Sequence, residues 1–280
     1  LSGTGKTTLS ALFSSLSPLP TRMYLITADL NTFLKRVEDE MPQLQEKYSC
    51  MKNISYQYST EAVCGYYQVV LQIEMLVTPE QFSLYETVTN RETEKICRQM
   101  MGSGNLPKLI RVYLAFSYLQ LTCAFDHQMD SLLRAGQTQS LPRPWAAMAY
   151  GPIAKRMGVS TGIADAFKRF ADFYGIDCRI IKGRLQSGED HDWNMVSINN
   201  RYYHVDATYG VDGDGLNIHC FLKDDASMSE THMWDISAYP ECNSSTFSFD
   251  DVETYIQDHE SALLAMGVEE KLLFPEEILE

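Results

Sequence analysis

The stretch "GVSTGIADAFKRFADFYGIDCRIIKG" (Gly158–Gly183) carries two periodicities in succession, and its reading decides the fold. Ile163, Phe167, Phe170 and Tyr174 recur every three or four residues, which puts them on one face of a helix turned toward a core. A strand is then predicted over Cys178–Gly183. Ser160 stands at the mouth of the helix. A group placed there meets the positive end of the helix dipole and unpaired backbone N–H groups, both of which stabilise an anion. The stretch reads as a helix that opens on a nucleophile.

Further along, "HDWNMV" starts a strand with His191, and "RYYHVDATYG" carries Asp206 near the end of the next one. Between them lies "INNR" (Ile198–Arg201), whose Asn199-Asn200 pair tolerates positive φ and suits a tight hairpin turn. The hairpin predicts His191 and Asp206 on neighbouring strands, roughly opposite each other. An imidazole within reach of a nucleophile removes its proton and later returns it to the leaving group. A carboxylate on the other ring nitrogen holds the tautomer and stabilises the imidazolium. Backbone N–H groups at the helix start can receive the oxyanion of a tetrahedral intermediate.

These motifs, with the later "FLKDDASMSETHMWD" (Phe221–Asp235), resemble the transglutaminase-like superfamily, relatives of the papain-like cysteine peptidases, in a layout common in bacterial members. The resemblance covers about residues 150–242 and reaches back loosely to strands near 54–76. It implies an α+β fold with a papain/transglutaminase-like core, the nucleophile-bearing helix packed on an antiparallel sheet. It also implies acyl chemistry on an amide, either peptide hydrolysis or acyl transfer through a covalent intermediate. By the same resemblance His191 matches the base, Asp206 its orienting partner, and Ser160 stands where the nucleophilic cysteine is expected. Trp145 and Tyr150 are the candidates to complete the oxyanion hole. Trp193 reads as packing and Asn194 as a hydrogen-bonding support.

Ser160 is the departure from the family pattern. A serine hydroxyl is far less acidic than a thiol and needs its base at the moment of attack. Three accounts stand side by side: a natural loss of the nucleophile, a deliberate cysteine-to-serine change, or a working serine hydrolase on this frame. None of the seven cysteines takes over by position, since Cys178 falls on the following strand. The alternative from another class is a catalytically silent module that uses the retained cleft to bind a peptide or protein.

The rest of the chain predicts helices first and antiparallel strands afterwards, an α+β order. A helix is expected over 29–48, then strands at "NISYQY" (Asn53–Tyr58) and "GYYQVVLQIEML" (Gly65–Leu76). In the second, Tyr67, Val69, Leu71, Ile73 and Met75 alternate with polar neighbours, the mark of a half-buried strand. Thr78, Pro79 and Gln81 look like a helix start running to about Met101, and another helix is expected from Pro107 to Cys123. A surface loop (Arg134–Pro144), a short helix around Trp145–Met157, a strand near His219–Leu222 and a tail helix stopped by Gly267 complete the reading. Three segments are expected: a leader at 1–22, a helix/strand/helix region at 23–135 packing on the core, and a core at 136–280.

The formal net charge of −14 repels phosphates, so nucleic acid and anionic membrane are not expected as partners. A peptide or protein substrate is. No apolar run is long enough to span a bilayer and no secretory signal is visible, so a cytoplasmic location and reduced, buried thiols are expected.

"LSGTGKTTLS" holds most of a phosphate-binding loop and locally resembles the nucleotide loop of ATP-dependent phosphoenolpyruvate carboxykinase. No strand delivers it, and it is expected to be a leader rather than a nucleotide site. His219, His232 and Cys220 have no spacing of a known ligand cage, and "DGDG" (Asp212–Gly215) lacks the distal glutamate of an EF-hand. No metal and no cofactor are expected. His204 reads as a strand residue on the side opposite Val205.

Overall fold

The computed structural model describes residues 8–16, 20–48, 50–137, 139–213 and 215–279, and it divides into two compact units, Leu1–Thr87 and Val88–Glu280. The phosphate-loop residues Gly3–Thr7, and Asp214 of "DGDG", lie outside the described residues.

In the first unit, Thr8 caps α1 (Leu9–Ser14) by accepting the Ala11 N–H. There follow β1 (Arg22–Thr27), α2 (Leu30–Lys47), β2 (Met51–Tyr58) and β3 (Tyr67–Met75). The three strands form an antiparallel sheet in the order β1-β3-β2. The alternation read in β3 is real: Val69, Leu71 and Ile73 are buried while Gln68, Gln72 and Glu74 are exposed. The sequence reading did not assign β1. Its buried Met23 and Leu25 alternate with exposed Tyr24 and Ile26, which are themselves apolar, so no polar beat marks the strand. The α3 helix (Pro79–Met101) opens on the expected capping box: the Thr78 N–H donates to Gln81 Oε1, and the Gln81 N–H donates to Thr78 Oγ1.

The division between units falls inside α3. The sequence reading drew its boundary after residue 135, yet α4 (Lys108–Thr122) shares a single core with α6 (Ser160–Phe173) in the larger unit. Between them run β4 (Ala124–Phe125), α5 (His127–Arg134) and β5 (Met157–Gly158). No continuous helix forms over 145–157. A 3₁₀ turn (Pro144–Ala147) and a π turn (Gly151–Lys155) stand there instead, and Arg156 leaves the second in the left-handed region at φ 58°. Gly151 explains the break: a Cβ on it would meet Met157 O at 2.5 Å and Trp145 O at 2.9 Å, so the chain folds back on itself.

The main sheet follows: β6 (Cys178–Leu185), β7 (Asp190–Ile198), β8 (Arg201–Val205), then β9 (Leu216–Asn217), β10 (Phe221–Lys223), α7 (Asp225–Met228) and β11 (His232–Met233). Five strands pair antiparallel in the order β10-β8-β7-β6-β11. Asn199 and Asn200 turn the β7–β8 hairpin at φ 52° and 62°, with Ile198 paired to Arg201, as the "INNR" signal predicts. One face of the sheet joins the apolar side of α6, where Ile163, Phe167, Phe170 and Tyr174 meet Cys178, Val196, Tyr203 and Val205. The other face carries Ile181, Trp193 and Met195 against Cys220, Met228 and Cys242.

A helix α8 (Phe249–Met266) is capped by Ser248 and stopped by Gly267 at φ 86°. The chain ends its described part with α9 (Glu270–Leu273) and β12 (Ile278–Leu279), which pairs with β9. The chain is α+β, with α6, the helix that Ser160 opens, packed on an antiparallel sheet. Among the described residues no helix is long and apolar enough to cross a membrane.

Candidate active site

The mouth of α6 is held tightly. The Val159 N–H donates to Ala146 O at 3.0 Å, and the Asp165 carboxylate accepts the Ala149 N–H at 2.9 Å from within the first turns of the helix. Gly162 brings the helix against the backbone of Ala146 and Met148, where a side chain has no room. Ser160 is the first helical residue and is 6% exposed. No side chain caps this helix start, so its leading N–H groups are not taken up by a capping oxygen.

Across the sheet, His191 Nε2–H donates to Asp206 Oδ2 at 2.8 Å, with both residues buried. The pairing is diagonal rather than directly opposite. Asn194 pairs with Val205, so the register carried one step further sets Asp206 against Trp193, and His191 reaches it from two residues along. Asp206 is gripped from several sides: Oδ2 also accepts from His232 Nε2 at 3.2 Å, and Oδ1 accepts the Thr208 N–H at 2.9 Å. Burial pushes the Asp206 carboxyl up, but the charges and hydrogen bonds of His191 and His232 outweigh it and hold the group well below the usual carboxylate range. Burial pushes the His191 imidazole down, and the adjacent Asp206 charge and hydrogen bond outweigh that, leaving it above its ordinary value. With Nε2 committed to Asp206, Nδ1 of His191 is the nitrogen left to act.

Among the described residues, no hydrogen bond joins the Ser160 hydroxyl to His191. The supporting residues divide. Asn194 Nδ2 donates to Ala164 O at 3.0 Å, tying β7 to α6. Trp193 is fully buried, and its indole N–H donates to His204 Nδ1 at 3.0 Å. Trp145 and Tyr150 are half-buried and pack edge-on, ring centroids 6.4 Å apart.

Two histidines matter more than the sequence reading allowed. His232 sits with His191 and Asp206 rather than with His219 and Cys220. The signal was its place in "ETHMWD", but only the β6–β11 pairing, His232 to Leu185, brings it home. His204 is wholly buried and passes its Nε2–H to Asp225 Oδ1 at 2.8 Å. Cys64 is exposed and the other six cysteines are buried. Cys220, whose carbonyl accepts the Asp206 N–H, is no substitute nucleophile: burial and the Asp206 charge push its thiol up, away from thiolate. An open hollow of about 630 Å³ is lined by Gly183, the strand partner of His191, and by Lys182, Arg184, Asp190, Asp192 and Trp234 among others.

No family model and no curated protein matches the chain. Among solved structures, it is similar to one described as a TGase, with a TM-score of 0.39 and 12% identity over 69% of this chain and 52% of that one. It is also similar to a structure from Cytophaga hutchinsonii carrying a provisional cysteine protease assignment, with a TM-score of 0.33 and 13% identity over 68% of this chain and 65% of that one. The match thus spans about half of the first and under two thirds of the second, and at these scores neither carries an argument about function.

Proposed function

We propose that the larger unit bears an acyl-chemistry site of transglutaminase-like type, acting on the amide of a peptide or protein. Ser160 Oγ attacks the carbonyl carbon and passes its proton to His191 Nδ1. Asp206 holds the imidazolium through Nε2–H, and N–H groups at the start of α6 receive the oxyanion. His191 then gives the proton to the leaving amine, and water or a second amine releases the acyl group.

The observation that carries this reading is the buried His191–Asp206 pair, oriented through Nε2 so that Nδ1 remains for a nucleophile. The run of α6 along the sheet supports it as well. Asn194 reaches Ala164, while the far end of α6 leads through Gly175 into Cys178, which pairs with Val196. The helix mouth accordingly points toward the His191 end of β7. The raised His191 value suits an imidazolium standing beside a thiolate better than a base waiting for an alcohol, so a cysteine at position 160 is expected to react faster than the serine.

A second reading, a silent peptide- or protein-binding module, is favoured by the lack of a hydrogen bond between Ser160 and His191 and by the neighbouring hollow, with its mixed charges and Trp234. The test is labelling at position 160: a fluorophosphonate on the wild-type chain and iodoacetamide on Ser160→Cys, each repeated with His191→Ala. Labelling that needs His191 supports the acyl site. Inert protein in both forms rejects it and leaves the binding role.

A further inference from the structure

We infer that His191, Asp206 and His232 form a binding site for a divalent transition-metal ion of the zinc class. Their ligand atoms lie within 4.8 Å of one another, and all three residues are buried. Around a tetrahedral zinc with bonds of about 2.0–2.1 Å, neighbouring ligand atoms are about 3.3 Å apart. Asp206 Oδ2 already lies 2.8 Å from His191 Nε2 and 3.2 Å from His232 Nε2, so an ion needs only a few tenths of an ångström of opening there. Two imidazoles and one carboxylate select zinc, iron or cobalt over calcium and magnesium, which favour oxygen ligands.

Tautomer chemistry decides between this cluster and the molecule's other one. His204, Asp225 and Cys242 are equally close together. There, however, Trp193 donates its N–H to His204 Nδ1, and indole nitrogen can only donate. His204 must keep its proton on Nε2, so that nitrogen has no lone pair for a metal. His232 is free of this conflict. Its Nδ1 lies 2.7 Å from Thr231 Oγ1, a hydroxyl that accepts as readily as it donates. On metal binding the His232 proton moves to Nδ1 and is accepted by Thr231, the outer contact that metal-bound histidines characteristically make. His191 gives up its Nε2 proton and holds one at Nδ1, and any surplus proton passes to solvent. Two N–H···O hydrogen bonds are exchanged for two Nε2–metal bonds and one Oδ2–metal bond, while the Thr208 N–H keeps hold of Oδ1.

The binding stands without the acyl reading. Its consequence, that an ion occupying His191 and Asp206 silences position 160, rests on that reading. The experiment titrates the EDTA-treated whole chain with Co²⁺ and Zn²⁺, following visible cobalt absorption and calorimetry. Expected are one ion per chain at this site, retention in Ser160→Ala, at least 100-fold weaker binding in His232→Ala, and no competition from Mg²⁺. Should His232→Ala fail to fold, ¹⁵N-histidine spectra of the wild-type chain read the same point, with Nε2 of His191 and His232 shifting on Zn²⁺ addition. Absence of binding, binding unchanged in His232→Ala, or unshifted Nε2 signals overturns the site. Fluorophosphonate labelling of the metal-free chain is scored separately. Its absence together with an iodoacetamide-inert Ser160→Cys chain sinks the acyl reading alone, and labelling that proceeds undiminished with the ion bound overturns the silencing.

Discussion

Gly162→Ala tests whether the mouth of α6 is held by steric contact. The new Cβ would lie 2.2 Å from Ala146 O and 3.0 Å from Met148 O, both backbone atoms that cannot swing aside. Carbon and carbonyl oxygen rest no closer than about 3.3 Å, so the helix start or the 146–148 segment must move by about 1 Å. Helix propensity pulls the other way, since alanine is favoured over glycine by about 1 kcal/mol in a helix interior. Overpacking against fixed neighbours costs about 1–3 kcal/mol. The upper part of that range applies because two backbone oxygens crowd one methyl, and the expected net result is a loss of about 1–2 kcal/mol. Position 160 is two residues away on the same turn and shares the displacement. A shift of about 1 Å costs on the order of 100-fold in the reaction of an oriented group. Urea unfolding gives the first quantity, and the iodoacetamide rate in a Ser160→Cys background gives the second. A Gly162→Ala chain that is stabilised by about 1 kcal/mol, as propensity alone dictates, and labels at an unchanged rate refutes the reasoning.

Three other outcomes are expected. In metal-free protein, Asp206→Asn removes the charge that outweighs burial at His191, so the imidazole titrates below its ordinary value by NMR. In the wild-type chain the folded value is raised, so the contribution of His191 protonation to stability is complete below about pH 6.5 and is lost as pH rises through that folded value. Asp126, which caps α5 through the Met129 N–H and accepts from Arg143 at 2.8 Å, is held below the usual carboxylate range first by the Arg143 hydrogen bond. Its stabilisation is present above about pH 4 and is lost as pH falls through the lowered folded value, and Asp126→Asn costs about 1.5–3 kcal/mol in urea unfolding. Burial pushes the Cys97 and Cys123 thiols up to about 12, so mass spectrometry after brief alkylation of the folded chain is expected to find Cys64 modified and these two untouched.

What was legible in the sequence follows from how local each signal is. The β7–β8 hairpin was readable because Asn199-Asn200 declares its turn within two residues. The α3 start was readable because Thr78 and Gln81 satisfy each other's backbone. The apolar face of α6 was readable because helical spacing survives whatever it packs against. Most of the misses are tertiary. Whether residues 145–157 form a helix depends on Gly151 meeting Met157, and His232 joins Asp206 only through a strand pairing far along the chain. The α5 helix was hidden by its eight-residue length and by a cap whose partner, Arg143, lies beyond it. The Ser160–His191–Asp206 set could be nominated by motif order, whereas the diagonal reach of His191 to Asp206 needed the register.

The Gly183 gap has an optical consequence. Trp193 lies against this glycine, where a Cβ would come within 2.6 Å of the indole, and it faces the His191 ring at 6.2 Å and the His232 ring at 4.8 Å. Protonated imidazole quenches indole emission, and the chain has only three tryptophans. Trp193 therefore serves as a resident fluorophore, its brightness following the charge on His191.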